Sequence, residues 1–128
     1  QTCALPILRQ KKILIGFTTG YNREIADLLL QKLNWKIRVA YDILITSSDV
    51  SRSRPFPDMI QRAMHLLGVK YSKNVIKVGD SKADIEEGIS AGCLYSIGIT
   101  TGAQNRKQLE EASPDFIIDH LSEIEAIL

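Results

Sequence analysis

The chain has 128 residues, 45% of them hydrophobic, with 16 basic and 15 acidic side chains giving a formal net charge of +1. That length suits one ordinary globular domain, and charge so evenly mixed leaves no basic face for nucleic acid. No apolar run approaches the ~20 residues that cross a bilayer, no signal peptide is readable, and two cysteines (Cys3 and Cys93) make no disulfide framework; the expected setting is a reducing cytoplasm.

QTCALPI, at the start, carries no period of 2 or 3.6, and strand-like sequence begins abruptly at Lys12. It is also the translation of the end of a common sequencing-library adapter. Residues 1–7 are therefore expected not to be native, and residues 1–11 to form a non-native or disordered leader. Residues 12–128 are expected to be the carboxyl-terminal part of a native domain whose sequence continues upstream. KILIGFT (12–18) is a short Ile-rich run of the kind that forms a strand covered on both faces. Ile25, Leu28, Leu29 and Leu33 then recur at helical spacing, predicting an amphipathic helix over 22–34. DILIT (42–46) is the next strand. After the polar segment SSDVSRSRPFP, Met59, Ile60, Ala63, Met64 and Leu67 mark one face of a second helix, stopped by Gly68. NVIKVGD (74–80) is a third strand and 82–91 a third helix, closed by Gly92. LYSIGIT (94–100), a helix in RKQLEEA (106–112), the strand DFIID (115–119) and a closing helix in LSEIEAIL complete the chain.

Strands alternating with helices in this way predict right-handed crossovers and an α/β fold on a parallel sheet. Chemistry on such sheets collects at the carboxyl ends of the strands. Those ends read TTG, TSSD, GDSKAD and TTG, all polar, small or acidic.

Asp80 leaves a strand that reads as buried, and Asp84 follows four residues on. Ser81 and Asp84 fit an S-x-x-D capping box, with both acids at the positive end of a helix. Alternatively Asp80 offers a hard oxygen to a divalent cation and Asp84 steadies it; for Asp84 the two readings are compatible. Thr19 and Gly20 close the first strand, where a hydroxyl and backbone N–H groups can meet an anion, or simply make a turn. Arg54, in SRSRPFPDM, precedes a proline, so an extended backbone would hold it out either as a solvated side chain or as a fixed cation for phosphate; Arg52 could equally be the solvated one. Tyr21 could close over a ligand or lie on the surface. His65 and His120 read as structural or surface residues, Cys93 as a small buried side chain and Trp35 as packing.

The order of these signals resembles motifs two to four of the haloacid dehalogenase superfamily of phosphohydrolases. TTGYNRE, then DILITSSDV with RPFPDMIQRAM, then VIKVGDSKADIEEGISAG are most similar to its phosphonatase-like branch. The resemblance spans roughly residues 12–127 and implies a Rossmann-like three-layer parallel sheet. It implies that Thr19 binds phosphoryl oxygens, that Arg54 balances their charge in place of the lysine most members use, and that Asp80 ligates Mg²⁺ with the support of Asp84. Thr19, Gly20, Tyr21 and Arg54 would form the substrate site, for a small phosphorylated or phosphonate molecule cleaved through an aspartyl-phosphate. Ser53 departs from the glycine usual before this arginine.

The superfamily's nucleophile is the first aspartate of a DxD motif on an earlier strand, and none precedes Lys12. Nor is its helical cap present. The expected core therefore lacks its first central strand, which would lie between the strands ending at Thr19 and Asp80. The fragment alone is expected to be inactive, and phosphatase and phosphonatase chemistry both stay open, as does a homodimer. A non-catalytic α/β nucleotide-binding or regulatory module is the alternative, although neither G-x-G-x-x-G nor G-x-x-x-x-G-K-[ST] is present.

Overall fold

The computed structural model describes residues 4–128. In chain order the regular elements are α1 (Ala4–Gln10), β1 (Gly16–Thr18), α2 (Arg23–Lys32), β2 (Ile43–Ile45), α3 (Asp58–Leu67), β3 (Ile76–Gly79), α4 (Lys82–Ser90), β4 (Tyr95–Ile99), α5 (Arg106–Glu110), β5 (Phe116–Ile118) and α6 (Ile124–Ile127). From β1 onward they alternate as the sequence pattern predicts. Local chemistry sets the boundaries: Asn22 caps α2 by accepting from Ile25 N at 2.9 Å, and Asn105 and Gln108 form a reciprocal capping box on α5. Gly68 ends α3 in the left-handed region, φ 72°.

All pairings between the named strands are parallel, but they make two sheets, β1–β2 and β3–β4–β5. The division falls between β1 and β3, where the resemblance puts a further strand. Each sheet has its own core. Ile15, Ala26, Tyr41 and Leu44 gather around the first, with Phe17 against Trp35 and Tyr41 at ring separations of 5.4 and 5.0 Å. Ile97, Ile99, Ile118 and Ile124 form the second. Leu8 and Leu121 pack against both and join them.

Within the stretch expected to be a non-native or disordered leader, Ala4–Gln10 is a helix with Ala4 and Leu5 buried. Seven residues with a proline are marginal as an isolated helix; packing of Leu5 and Leu8, and the Arg9–Asp42 ion pair at 2.5 Å, supply what propensity does not. Cys3 lies outside the described residues. The predicted helix over 22–34 is present as α2, with the apolar stripe of Ile25, Leu28, Leu29 and Leu33 more than 40% exposed throughout. The helix instead meets its sheet through the small side, Ala26 with Leu30. Among the described residues no helix is long and apolar enough to cross a membrane.

Candidate active site

The carboxyl ends of β1, β2 and β3 bring Gly20, Arg54 and Asp84 into contact. Arg54, on the loop after β2, donates from Nη1 to Asp84 Oδ1 at 2.8 Å. A Cβ on Gly20 would stand 2.7 Å from Arg54 Nη2, so the glycine leaves room for the guanidinium. A Cβ on Gly79 would likewise lie 2.6 Å from Asp84 Oδ2 and closer still to its Cβ and Cγ. Arg54 is thus not a solvated loop arginine. Arg52 is the exposed one, paired with Asp58 at 2.9 Å and lying over the Phe56 ring.

Asp84 is buried, and its neighbours decide its charge. Burial alone would raise its carboxyl; the Lys77 ammonium, the Arg54 and Ser81 hydrogen bonds and the Arg54 charge outweigh it and hold it below its ordinary value. Burial would lower the Arg54 guanidinium, but Asp84 pushes it up, helped by the charges of Glu87 and Asp80. Ser81 caps α4 by accepting from Asp84 N at 3.3 Å, and its hydroxyl donates to Asp84 Oδ2 at 2.8 Å. The Asp84 side chain therefore turns to Ser81, Arg54 and Lys77 instead of completing the box on Ser81 N.

The sequence reading missed Lys77 and Glu87. Lys77 Nζ reaches from β3 across the division to Thr18 Oγ1 at 2.8 Å, and stands 2.9 Å from Glu87 Oε1 and 3.7 Å from Asp84 Oδ1. Glu87 is fully buried, and neither of its carboxylate oxygens accepts a well-directed hydrogen bond. Burial raises its carboxyl, with Lys77 pulling the other way. Two signals were available: a lysine inside the apolar run VIKVG, and Glu87 three residues after Asp84, on the same helix face.

Thr19 closes β1, with its N–H on Ile45 O at 3.0 Å and its Oγ1 accepting from Tyr21 N at 3.2 Å. That leaves the hydroxyl proton free to be donated. Tyr21 is more than half exposed at the rim, and its carbonyl takes the Ser47 N–H and hydroxyl. Asp80 accepts from Ala103 N through Oδ2 at 3.0 Å, so Oδ1 is its oxygen open to a further partner. Among the described residues no three His, Cys, Asp or Glu side chains gather to hold a metal. Mg²⁺ often takes only one or two carboxylates, the rest coming from water and substrate oxygens. Asp80 suits an ion shared in that way and does not suit an all-protein cage.

Cys93 is buried, and burial pushes its thiol up to about 11; it takes no part in these contacts.

The sequence matches the family of haloacid dehalogenase-like hydrolases over residues 2–99. It is 38% identical to a phosphonoacetaldehyde hydrolase of Bacillus cereus over 75% of this chain and 36% of that protein. Against a bifunctional phosphonoacetaldehyde hydrolase/aminoethylphosphonate transaminase of Clostridioides difficile it is 31% identical, over 94% of this chain and 22% of the relative. The chain therefore spans well under half the length of these curated relatives. Among solved structures, a phosphonoacetaldehyde hydrolase-like protein from Oleispira antarctica superimposes with a TM-score of 0.84 at 24% identity, covering 98% of this chain and 53% of that one. A HAD-superfamily hydrolase from Geobacter sulfurreducens gives 0.76 at 20%, covering 98% and 52%; both show likeness of fold. With the family match covering most of the chain and the strand-end loops arranged as described, the chain belongs to the haloacid dehalogenase-like hydrolases.

Proposed function

We propose that this chain supplies the phosphate- and Mg²⁺-holding loops of a hydrolase that cleaves a small phosphorylated or phosphonate substrate through an aspartyl-phosphate. The attacking carboxylate is one that residues 12–128 do not present, and this stretch acts as the carboxyl-terminal part of the catalytic core. The observation that carries the reading is Arg54, a guanidinium anchored on the buried Asp84 with its second arm directed beside Gly20. Phosphoryl transfer asks a protein mainly for charge neutralisation and alignment, and a fixed guanidinium supplies both. Relatives named phosphonoacetaldehyde hydrolase at 36–38% identity favour a phosphonate, and the buried free thiol of Cys93 suits a reducing cytoplasm.

In this reading the Thr19 hydroxyl and the backbone N–H groups at Gly20 take phosphoryl oxygens, and Tyr21 covers them from the rim. Arg54 neutralises the phosphoryl group through its free arm. Asp84 holds Arg54 in place and stays ionised, and Asp80 gives Oδ1 to Mg²⁺. When bound there, the metal would neutralise charge on the nucleophile and phosphoryl oxygens.

The test is Mn²⁺, a paramagnetic stand-in for Mg²⁺, titrated into the 128-residue chain while backbone amide resonances are followed. Broadening centred on residues 79–82 and competed by Mg²⁺ is expected. Asp80→Asn should abolish it, and Asp84→Asn should weaken the affinity by roughly 10-fold or more, as loss of a supporting partner does. Undiminished broadening in Asp80→Asn rejects the assignment and leaves Asp80 as the acceptor of the Ala103 N–H and Asp84 as the anchor of Arg54.

A further inference from the structure

We propose that the loop after β4, through Gly102, Ala103 and Gln104, is the positioning device for Asp80. The inference rests on reading Asp80 as the cation's ligand. Three hydrogen bonds fasten this loop to the one after β3. Ala103 N donates to Asp80 Oδ2 at 3.0 Å, Gln104 N donates to Asp80 O at 3.2 Å, and Lys82 N donates to Gln104 Oε1 at 2.6 Å. The first fixes which carboxylate oxygen is spent and so which one faces outward. The other two hold the backbone on either side of Ser81.

Gly102 completes the clasp by its lack of a side chain. A Cβ there would lie 2.5 Å from Asp80 Cγ and closer still to Asp80 Cβ and Oδ2, so its three nearest neighbours would all be Asp80 atoms. A clash with Oδ2 alone could be relieved by rotating the carboxylate. A clash with Cβ cannot, because Cβ is fixed to the backbone whatever the rotamer. One loop must then retreat from the other and take the Ala103 hydrogen bond with it. Gly102 is exposed, and its φ lies outside the left-handed region. Neither core packing nor backbone strain accounts for a glycine here; close approach to Asp80 does.

The test compares Gly102→Ala, Gln104→Ala, Asp80→Asn and the double variant Asp80→Gly/Gly102→Ala in the 128-residue chain. Three readouts serve: Mn²⁺ broadening at residues 79–82, the chemical shift of the Ala103 N–H, and the thermal midpoint. Gly102→Ala should move the Ala103 resonance upfield and weaken Mn²⁺ binding roughly 10-fold or more. Gln104→Ala should weaken it less. The double variant should regain part of the thermal stability that Gly102→Ala loses, since its missing Cβ and carboxylate vacate the clash while the Ala103 hydrogen bond stays lost; this arm decides the matter even if Gly102→Ala alone fails to fold. An unchanged Ala103 shift in Gly102→Ala, or no recovery in the double variant, overturns the proposal. So does wild-type broadening in Gly102→Ala where Asp80→Asn abolishes it. Broadening that survives Asp80→Asn defeats the metal reading instead, and the clasp then stands or falls on the Ala103 shift and the double-variant recovery.

Discussion

Replacing Lys77 by methionine would keep the volume of a long unbranched side chain while deleting an ammonium that faces Glu87. The Lys77 and Glu87 side chains are 10% and 0% exposed, with 2.9 Å between Nζ and Oε1. Removing one partner of such a buried pair strands the other's charge and typically costs about 3–5 kcal/mol. The lost Thr18 contact adds about 1 kcal/mol. For a domain of this size that corresponds to a fall of roughly 10–25 °C in the unfolding midpoint. Lys77→Met/Glu87→Leu removes both charges, and well-packed apolar replacements of a buried pair are often neutral or stabilising. The double variant should therefore recover most of the loss, although the single change alone is severe. Urea unfolding monitored by circular dichroism at 25 °C gives all the stabilities needed for the cycle. A loss of less than about 1 kcal/mol in Lys77→Met, or no recovery in the double variant, would refute the argument that Glu87 depends on Lys77.

The same pair has a pH signature. Burial raises the Glu87 carboxyl above its ordinary 4.5 against the pull of Lys77, so the folded chain binds that proton more tightly than the unfolded chain. Its contribution to stability is complete below about pH 4.5 and is lost as pH climbs through the raised folded value. Asp84 runs the other way: its carboxyl lies below the ordinary 3.8, so its contribution is present above that pH and is lost as pH falls through the lowered value. Glu87→Gln should abolish the decline on the upper side and leave the acid-side loss intact. A decline that persists in Glu87→Gln would show that another group causes it.

Arg54→Lys should bind orthophosphate roughly 10-fold more weakly than the parent in a ³¹P line-width titration, because a charge-assisted fork is reduced to one ammonium; equal binding by Arg54→Lys and Arg54→Ala to the parent level would remove Arg54 from the site. The 128-residue chain should show no Mg²⁺-dependent hydrolysis of p-nitrophenyl phosphate or phosphonoacetaldehyde, since Asp84 is committed to Arg54, Lys77 and Ser81 and Asp80 divides its oxygens between Ala103 and, in the proposed function, the metal. Turnover that Asp80→Asn abolishes would contradict it.

The alternation of strands and helices from Lys12 onward was readable because burial of whole faces imposes a period on the sequence, and because Gly68, Ser81 and Gly92 punctuate it chemically. The positions of Thr19, Gly20, Arg54, Asp80 and Asp84 near the strand ends could be placed in the sequence because the ends of a parallel sheet's strands can be located once the strands are. α1 was not readable, since its seven residues owe their order to partners more than 30 residues away, such as Asp42. The exposure of the α2 stripe was not readable, because periodicity says that an apolar stripe exists, not whether something covers it. Lys77 and Glu87 were overlooked for a related reason: a charged residue is taken as facing solvent unless its partner is known, and here the partner lies on another element.

Among the described residues no ladder hydrogen bond joins β1 to β3, so side chains take over that task. Leu8 and Leu121 supply apolar contact to both cores, which is non-directional. Direction comes from Lys77 to Thr18 and from Arg54 to Asp84, each at 2.8 Å. The second of these also sets what Arg54 can offer a ligand. Nη1 is taken by Asp84 and Nε is buried without a partner, which leaves the Nη2 arm beside Gly20 as the part directed at an incoming oxygen. A guanidinium can serve an internal carboxylate with one arm and a phosphoryl oxygen with the other, because its donors diverge in a fixed plane. An ammonium at the end of a flexible stem must divide a single point charge between the two. Under the proposed function that division of labour is a physical reason for arginine at position 54: the contact between loops of the two sheets would also be the one that presents a cation to phosphate.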